Sequence, residues 1–295
     1  MPATFPLRWF AKFGIAALGL LLACALATAW FGNTLQLPST TTRDGTLITM
    51  NRYVTEPIPD VVLLGSSLTF RIKEEYFATP ALRNLALAGG SPVTGMEIVA
   101  SQQRIPKIIV VEINVLSRAA DPAVIARYSG SGSAQPMFLR PIRTAIAAYE
   151  NWNHAPLTHA QAAVALGRLL AQPPSEFDNH IYLERALQQE NADDPTAAVR
   201  RNAKRIEELI ATLEQRGAQV LLFETPVSAQ LEQSRSARIT HEIVHARFPD
   251  PDRWLRVVFT RSELRWSDGV HLDERSAVIV AHSIDQALAS LPGKR

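Results

Sequence analysis

The ten residues VVLLGSSLTF at positions 61–70 decide the fold. An unbroken apolar run at 61–65 is typical of a strand buried on both faces, and a serine-containing turn follows it directly. Similar runs predict strands at 85–88, 108–113, 220–224 and 255–259. Amphipathic stretches predict helices at 160–171, 195–216 and 276–291. The alternation indicates an α/β domain, a three-layer α/β/α sandwich with a mainly parallel sheet.

The third and fourth predicted strands are separated by about 100 residues, 117–218, which is too long for a plain crossover. We expect this segment to be a helical insert that covers or shapes a pocket. We assign the folded domain to residues 59–295. Residues 33–58 are rich in Thr, Pro and Asn and show little periodicity, so we predict that they form a tether.

The stretch FGIAALGLLLACALATAWF at 13–31 is almost wholly apolar. About 20 helical residues cross a bilayer core of about 30 Å, so we predict a transmembrane anchor at 13–32. Arg8 and Lys12 precede it, and the positive-inside rule therefore puts residues 1–12 in the cytoplasm. The domain that follows is then outside the cell's inner membrane.

Two other interpretations of this segment give the same topology. Ala27-Thr28-Ala29 resembles a signal-peptidase site, and Leu21-Leu22-Ala23-Cys24 partly resembles a lipobox that would lipidate Cys24. The run remains apolar past Cys24 up to Phe31, which favours an uncleaved anchor. All three interpretations deliver the domain across the membrane.

Composition excludes several classes of protein. Of 295 residues, 47% are hydrophobic and 20% charged, which is too apolar for a disordered chain. The net charge of +2 gives no field suited to nucleic acid, so we expect no nucleic-acid partner. A single cysteine excludes both an internal disulfide framework and a Cys-rich zinc module.

Chemistry-bearing residues follow the predicted strands, where parallel sheets bind ligands. Ser67 comes just after the first strand, and a serine needs a nearby base to become nucleophilic. Asp268 and His271 are three residues apart on one loop after the fifth strand. The carboxylate can orient the imidazole while its other ring nitrogen faces the serine, so we predict a Ser67–His271–Asp268 triad.

An oxyanion hole needs preorganised donors. The backbone N–H groups of Ser67 and Gly89 and the side-chain amide of Asn114 would supply three. Each residue also has an ordinary structural interpretation. Ser67, for example, could simply cap the helix that follows it.

The order and spacing of these residues resemble the SGNH (GDSL-like) hydrolase superfamily over about residues 60–290, without the insert. Ser67 matches the serine of its first block, Gly89 the glycine of its second and Asn114 the asparagine of its third. Asp268 and His271 match its final DxxH block. Two blocks depart from the pattern, because Gly65-Ser66-Ser67 replaces GDS and Glu112-Ile113-Asn114-Val115 replaces GxND.

The resemblance implies a flavodoxin-like fold and ester chemistry through an acyl-serine, with no cofactor. The departures resemble the divergent membrane-anchored branch that includes the alginate O-acetylation proteins and the D-alanyl transfer protein of lipoteichoic acid assembly. Members act outside the membrane, often beside a multi-pass membrane-bound O-acyltransferase. We therefore expect a periplasmic or extracellular O-acetyltransferase or acetylesterase, held in a bacterial inner membrane, acting on a cell-envelope or exported polysaccharide.

A competing motif is His241-Glu242-Ile243-Val244-His245, which fits HExxH. On a helix the two imidazoles share a face and could bind Zn²⁺, with Glu242 as base. A third ligand is needed; Glu263 and Glu274 are candidates, but neither is on an evident partner helix. A zinc metallopeptidase therefore remains an alternative. A third hypothesis is a non-catalytic scaffold or carbohydrate-binding protein that keeps the fold.

Overall fold

A computed structural model of the protein describes residues 7–31, 42–79, 81–130, 149 and 159–291. Parts of the predicted segments lie outside the described residues: 1–6 of the N-terminus, residue 32 of the anchor, 33–41 of the tether, 131–148 and 150–158 of the insert, and 80 and 292–295 of the rest of the domain. The helices, in chain order, are α1 Leu7–Phe31, α2 Thr42–Thr55, α3 Ser67–Phe70, α4 Pro92–Ser101, α5 Pro122–Tyr128, α6 His159–Leu170, α7 His180–Ala192, α8 Thr196–Gln215, α9 Ala229–Glu232, α10 Arg235–Arg247 and α11 Glu274–Ala289.

In the part of the chain that the structure describes, the sheet has four strands, β1 Val61–Leu64, β2 Leu82–Asn84, β3 Ile108–Glu112 and β4 Gln219–Phe223. Their order is β2-β1-β3-β4, and all neighbours pair in parallel. The register aligns Leu64 of β1 with Val111 of β3, so the ends of these two strands lie side by side. The predicted α/β class with a parallel sheet is confirmed.

Apolar residues cover both faces of the sheet, as continuous Val, Ile and Leu runs require. Alternate strand residues such as Val62, Leu64 and Val111 pack on one face in a core that contains residues of α4, α8 and α10. Their neighbours, such as Val61 and Leu63, pack on the other face with α11. Helices therefore lie on both sides of the sheet.

Two strand predictions need correction. The second strand is at Leu82–Asn84, before the predicted 85–88, although Leu85 and Leu87 still donate backbone hydrogen bonds to Leu63 and Gly65. Residues 255–259 form no strand. Pairing there stops after the Leu222–Trp254 bridge and one hydrogen bond from Leu255 N–H. The apolar pattern of 255–259 reflects the packing of alternate side chains on the core. Val258, within this segment, points away from the core and is 80% exposed.

The predicted tether at 33–58 is also wrong in part, because α2 occupies Thr42–Thr55. Met50 and Tyr53 of this helix are 0% and 1% exposed and belong to the main core. Their spacing of three residues puts both on one helix face. The folded domain therefore begins before residue 59.

The predicted helices at 160–171, 195–216 and 276–291 form within two residues of their expected bounds, as α6, α8 and α11. The insert also contains α5 and α7. At the N-terminus, α1 is long and apolar enough to cross a membrane, and its window Trp9–Leu26 is not buried in the protein.

Candidate functional site

The turn after β1 presents Ser67 at the first position of α3. The cap of that helix is Ser66, whose Oγ accepts a hydrogen bond from Leu68 N–H at 3.2 Å. A serine N-cap is favoured because it satisfies a backbone donor that the helix leaves unpaired. Ser67 is therefore not the cap, and its hydroxyl is available for another partner.

The loop after residue 266 brings His271 to Ser67. His271 Nε2 lies 3.0 Å from Ser67 Oγ, and His271 Nδ1 lies 2.7 Å from Asp268 Oδ2. With the Nδ1 proton donated to Asp268, Nε2 accepts the proton of the Ser67 hydroxyl. The structure thus joins all three residues of the predicted triad in one chain of hydrogen bonds.

The geometry of this loop comes from Asp268 itself. Its Oδ1 accepts backbone hydrogen bonds from Val270 at 3.0 Å and His271 at 2.7 Å. Gly269, between Asp268 and Val270, has φ +81°, and a Cβ at this position would meet Leu183 of α7 at 2.7 Å. Glycine is needed here for both conformation and space. One carboxylate therefore orders the loop through one oxygen and the imidazole through the other.

The protonation of Asp268 suits this role. Partial burial opposes its charge, but the hydrogen bonds from the His271 side chain and from the two backbone N–H groups outweigh burial and hold the pKa of Asp268 well below its ordinary value. Asp268 is therefore a carboxylate near neutral pH. A carboxylate at this position stabilises the imidazolium that forms when His271 takes a proton.

A second carboxylate supports the turn that carries Ser67. Glu112, the last residue of β3, is fully buried, and its Oε2 accepts hydrogen bonds from Ser66 N–H and Ser66 Oγ at 2.7 Å each. Thr69 Oγ1 donates to the same oxygen at 3.2 Å. Burial raises the pKa of Glu112 despite these bonds. A Cβ on Gly65 would meet Glu112 Oε2 and Thr69 at 2.7 Å, so only glycine fits between β1 and this contact.

Sequence reasoning recorded Glu112 only as a departure from the family pattern and missed this contact. A signal was present, because Glu112 is the one charged residue in the apolar run 108–113. A buried carboxylate requires partners, and in a parallel sheet the adjacent strand end carries them.

The three predicted oxyanion donors differ in position. Asn114 lines the same cavity as Ser67, and its side chain pairs with the backbone of Thr225: Nδ2 donates to the carbonyl at 3.0 Å and Oδ1 accepts from N–H at 2.7 Å. Ser67 N–H is at the first turn of α3, where a helix provides no acceptor. Gly89 is exposed with φ +78° and is not among the residues that line the cavity.

The cavity beside Ser67 has a volume of about 590 Å³, within the range of small-molecule sites. Its walls combine apolar and charged side chains. The insert contributes Arg118 and Glu190, in line with the expectation that the insert shapes a pocket. Arg118 Nη1 is buried and, within the described residues, has no hydrogen-bond partner.

The HExxH segment lies on α10, and His241 and Glu242 line the cavity that contains Ser67. Neither third-ligand candidate lies with them. Glu263 pairs with Arg275, and Glu274 accepts hydrogen bonds from Lys73 and Tyr76.

The carboxylate beside the two histidines is instead Glu224, the residue after β4. Sequence reasoning counted it as the end of a strand. The position of Glu224 in the sequence does not indicate that it contacts residues 241–245.

No known family model matches this sequence, and no curated protein matches it significantly. The site must therefore be interpreted from its own geometry.

Proposed function

We propose that this protein is an SGNH-type serine enzyme that transfers or hydrolyses acyl esters outside the membrane. The observation that carries the proposal is the continuous chain from Ser67 Oγ through His271 to Asp268, with contacts of 3.0 and 2.7 Å. These are hydrogen-bond distances at which a histidine can accept the proton of an attacking serine.

In the proposed reaction, Ser67 Oγ attacks the carbonyl carbon of an acyl ester while its proton passes to His271 Nε2. The tetrahedral intermediate collapses, the alkoxide leaves with the proton from His271, and an acyl-serine remains. A second hydroxyl, from a sugar or from water, then gives its proton to His271 and takes the acyl group. A sugar acceptor makes the enzyme an O-acetyltransferase, and water makes it an acetylesterase.

The oxyanion hole of this proposal is supported best by Ser67 N–H and Asn114. Asn114 Nδ2 carries two protons, and the bond to Thr225 uses one of them. The second remains for the developing oxyanion, while the Thr225 contacts hold the amide in place. Gly89 is retained as the third donor on the strength of the resemblance alone.

The position of the site fits a flavodoxin-like sheet. The strand order β2-β1-β3-β4 corresponds to the first four strands of the 2-1-3-4-5 arrangement. In that arrangement ligands bind beyond the carboxyl ends of β1 and β3, where the strand order reverses. Ser67 follows β1 and Asn114 follows β3 here, which supports the flavodoxin-like assignment.

The substrate class rests on the anchor and the resemblance. A single apolar N-terminal helix is consistent with a single-pass protein, and the charges before it support an outward-facing domain. We propose a cell-envelope or exported polysaccharide as the acylated substrate. A multi-pass membrane-bound O-acyltransferase is the proposed partner that supplies the acyl group.

The test uses the full chain in detergent with p-nitrophenyl acetate, with and without a xylo- or gluco-oligosaccharide. We expect Ser67→Ala to lose at least about 10³-fold in rate, since a triad acts as a unit. Mass spectrometry of the wild type should show an acetyl group on Ser67. Ser290→Ala is the matched control, because Ser290 is exposed and bonds only within the end of α11.

The same assay separates the alternatives. Full activity in Ser67→Ala would contradict the proposal. With a peptide substrate added in a parallel reaction, chelator-sensitive cleavage that is lost in His241→Ala would support the metallopeptidase instead. Oligosaccharide binding without acyl transfer or hydrolysis in the wild type would support the non-catalytic scaffold.

A further inference from the structure

The side chains of Glu224, His241 and His245 converge at one edge of the cavity. Their potential ligand atoms all lie within 4.8 Å of one another. Glu224 Oε1 is 2.9 Å from His241 Nδ1 and 3.4 Å from His245 Nε2. Two ligands of a tetrahedral zinc ion are about 3.3 Å apart, given bonds of about 2.0–2.1 Å. The two separations that involve Glu224 are therefore close to those of a zinc site, and the two imidazole nitrogens are at most 4.8 Å apart.

Both histidines are held in place by their surroundings. They are four residues apart on α10, and their ring centroids are 4.1 Å apart. The His245 ring stacks on Trp254 at 4.1 Å with an angle of 4° between the planes. Trp254 is itself fixed by a hydrogen bond from Nε1 to the carbonyl of Phe248 at 2.9 Å. The His245 ring therefore has little freedom to lose on binding an ion, while the His241 ring, 58% exposed, is oriented by its contact with Glu224.

One atom of the cluster lacks a satisfactory partner. His245 Nε2 is buried and makes no hydrogen bond among the described residues, because the nearby Glu224 Oε1 lies beyond good geometry. A buried polar atom without a partner is costly. A metal ion between the histidines and the carboxylate would satisfy this nitrogen, since neutral imidazole is a zinc ligand.

We propose that Glu224, His241 and His245 form a binding site for Zn²⁺ or a similar transition-metal dication. Two imidazoles and one carboxylate are a donor set that zinc accepts, with a fourth position open. The ion would join the residue after β4 to helix α10. Because Glu224 and His241 both line the cavity beside Ser67, the ion would brace that wall.

The test is zinc binding by the full chain in detergent, measured by isothermal titration calorimetry and by metal content after dialysis. We expect one Zn²⁺ per chain for the wild type. His241→Ala and Glu224→Gln should each weaken binding by at least about tenfold. Zn²⁺ should raise the melting temperature of the wild type, as a ligand of the folded state does, and at the same Zn²⁺ concentration it should raise that of the two variants less.

The matched control is His180→Ala, which removes another exposed histidine that pairs with a carboxylate, Asp178. It should bind zinc like the wild type. Ser67→Ala should also bind zinc normally, so loss of acyl chemistry and loss of the metal site are separate results. Equal zinc affinity in the wild type and His241→Ala, or no saturable binding in the wild type, overturns the proposal and leaves a Glu–His hydrogen bond only.

Discussion

Two loops meet at Ser67, and each is organised by one carboxylate that accepts backbone hydrogen bonds. Asp268 orders residues 267–272 from a position that is one-third exposed, with 34% of its side chain accessible. Glu112 orders the turn 65–70 from the end of a strand, with no exposure. The pKa of Asp268 is lowered and that of Glu112 is raised.

The difference shows that burial decides what a hydrogen-bonded carboxylate can do. Both groups accept three hydrogen bonds from their loops. Asp268 keeps contact with water, so its bonds prevail and it stays charged beside His271. Glu112 has no contact with water, so the desolvation penalty on its charged form exceeds the stabilisation that its hydrogen bonds give. The partly exposed carboxylate is suited to catalysis and the buried one to positioning.

The largest effect is expected from Asp268→Asn. The substitution removes the charge that orients His271 and stabilises its imidazolium, so kcat for p-nitrophenyl acetate should fall by about 10³–10⁴-fold. Steady-state kinetics of the full chain measure this. Asp273→Asn is the control, because Asp273 caps α11 and asparagine caps equally well. A loss below about tenfold for Asp268→Asn would contradict the assigned role.

In contrast to Asp268, Glu112 should be sensitive to the loss of its hydrogen bonds more than to the loss of its charge. Glu112→Ala leaves the Ser66 and Thr69 donors buried without their acceptor, which costs about 1–3 kcal/mol for each unsatisfied group. Glu112→Gln keeps one acceptor oxygen for these donors, but its NH2 group replaces a buried oxygen that has no partner among the described residues, so we expect a smaller loss of stability than in Glu112→Ala.

Denaturant unfolding measures both Glu112 variants, and kinetics test the position of Ser67. Activity should be low in the alanine variant and rescued in the glutamine variant. Equal loss in both would show that the negative charge of Glu112, rather than its hydrogen bonds, is what matters.

A smaller effect is expected from Ser66→Ala. The variant loses the N-cap of α3, worth about 1 kcal/mol, and one of the donors to Glu112. Thermal melting should detect the loss. Ser91→Ala, which removes the cap of α4, is a matched control that should cost similar stability but little activity. Retained activity in Ser66→Ala would mean that the bonds from Ser66 N–H and Thr69 Oγ1 to Glu112 suffice to place the turn.

The two carboxylates should also give pH dependences of opposite sign, an effect of smaller size. A lowered pKa at Asp268 stabilises the fold above the ordinary value of 3.8, and this contribution is lost as pH falls. A raised pKa at Glu112 means that the folded state holds a proton that the unfolded state has released. Its contribution therefore declines as pH rises above the ordinary value of 4.5.

Denaturant unfolding over a pH series, with Asp268→Asn and Glu112→Gln compared with the wild type, tests the pH prediction. Between pH 4.5 and the raised pKa of Glu112, wild-type stability should fall relative to Glu112→Gln. Below pH 3.8 it should fall relative to Asp268→Asn as pH decreases. If the stability of the wild type relative to the two variants changes with pH in the same direction for both, the prediction of opposite pH dependences is wrong.

Much of this arrangement could be predicted from the sequence, because it depends on local patterns. Apolar runs located β1, β3 and β4, and the ends of β1 and β3 located Ser67 and Asn114. Asp268 and His271 were located by their spacing of three residues on one loop, because the strand predicted before them does not form. Glu112 and Glu224 could not be assigned in the same way. Their partners are 46 and 17 residues away, and only the packing of strand ends against turns and helices brings them together.

The remaining errors have similar causes. The run 255–259 has the composition of a strand, but its backbone leaves the sheet after one bridge. Helix α2 was missed because its apolar residues are few, and Met50 and Tyr53 matter only through what they pack against. Local composition does not report either outcome.

The docking of α2 on the core sets how far the domain can extend from α1. A tether of 26 residues, as the sequence suggested, would allow a reach of about 90 Å at full extension. Only residues 32–41 lie between α1 and α2, and ten residues span at most about 35 Å. If α1 crosses a membrane, the start of α2 is held within about 35 Å of the end of α1, and acyl acceptors must come to a domain that stays attached near the bilayer.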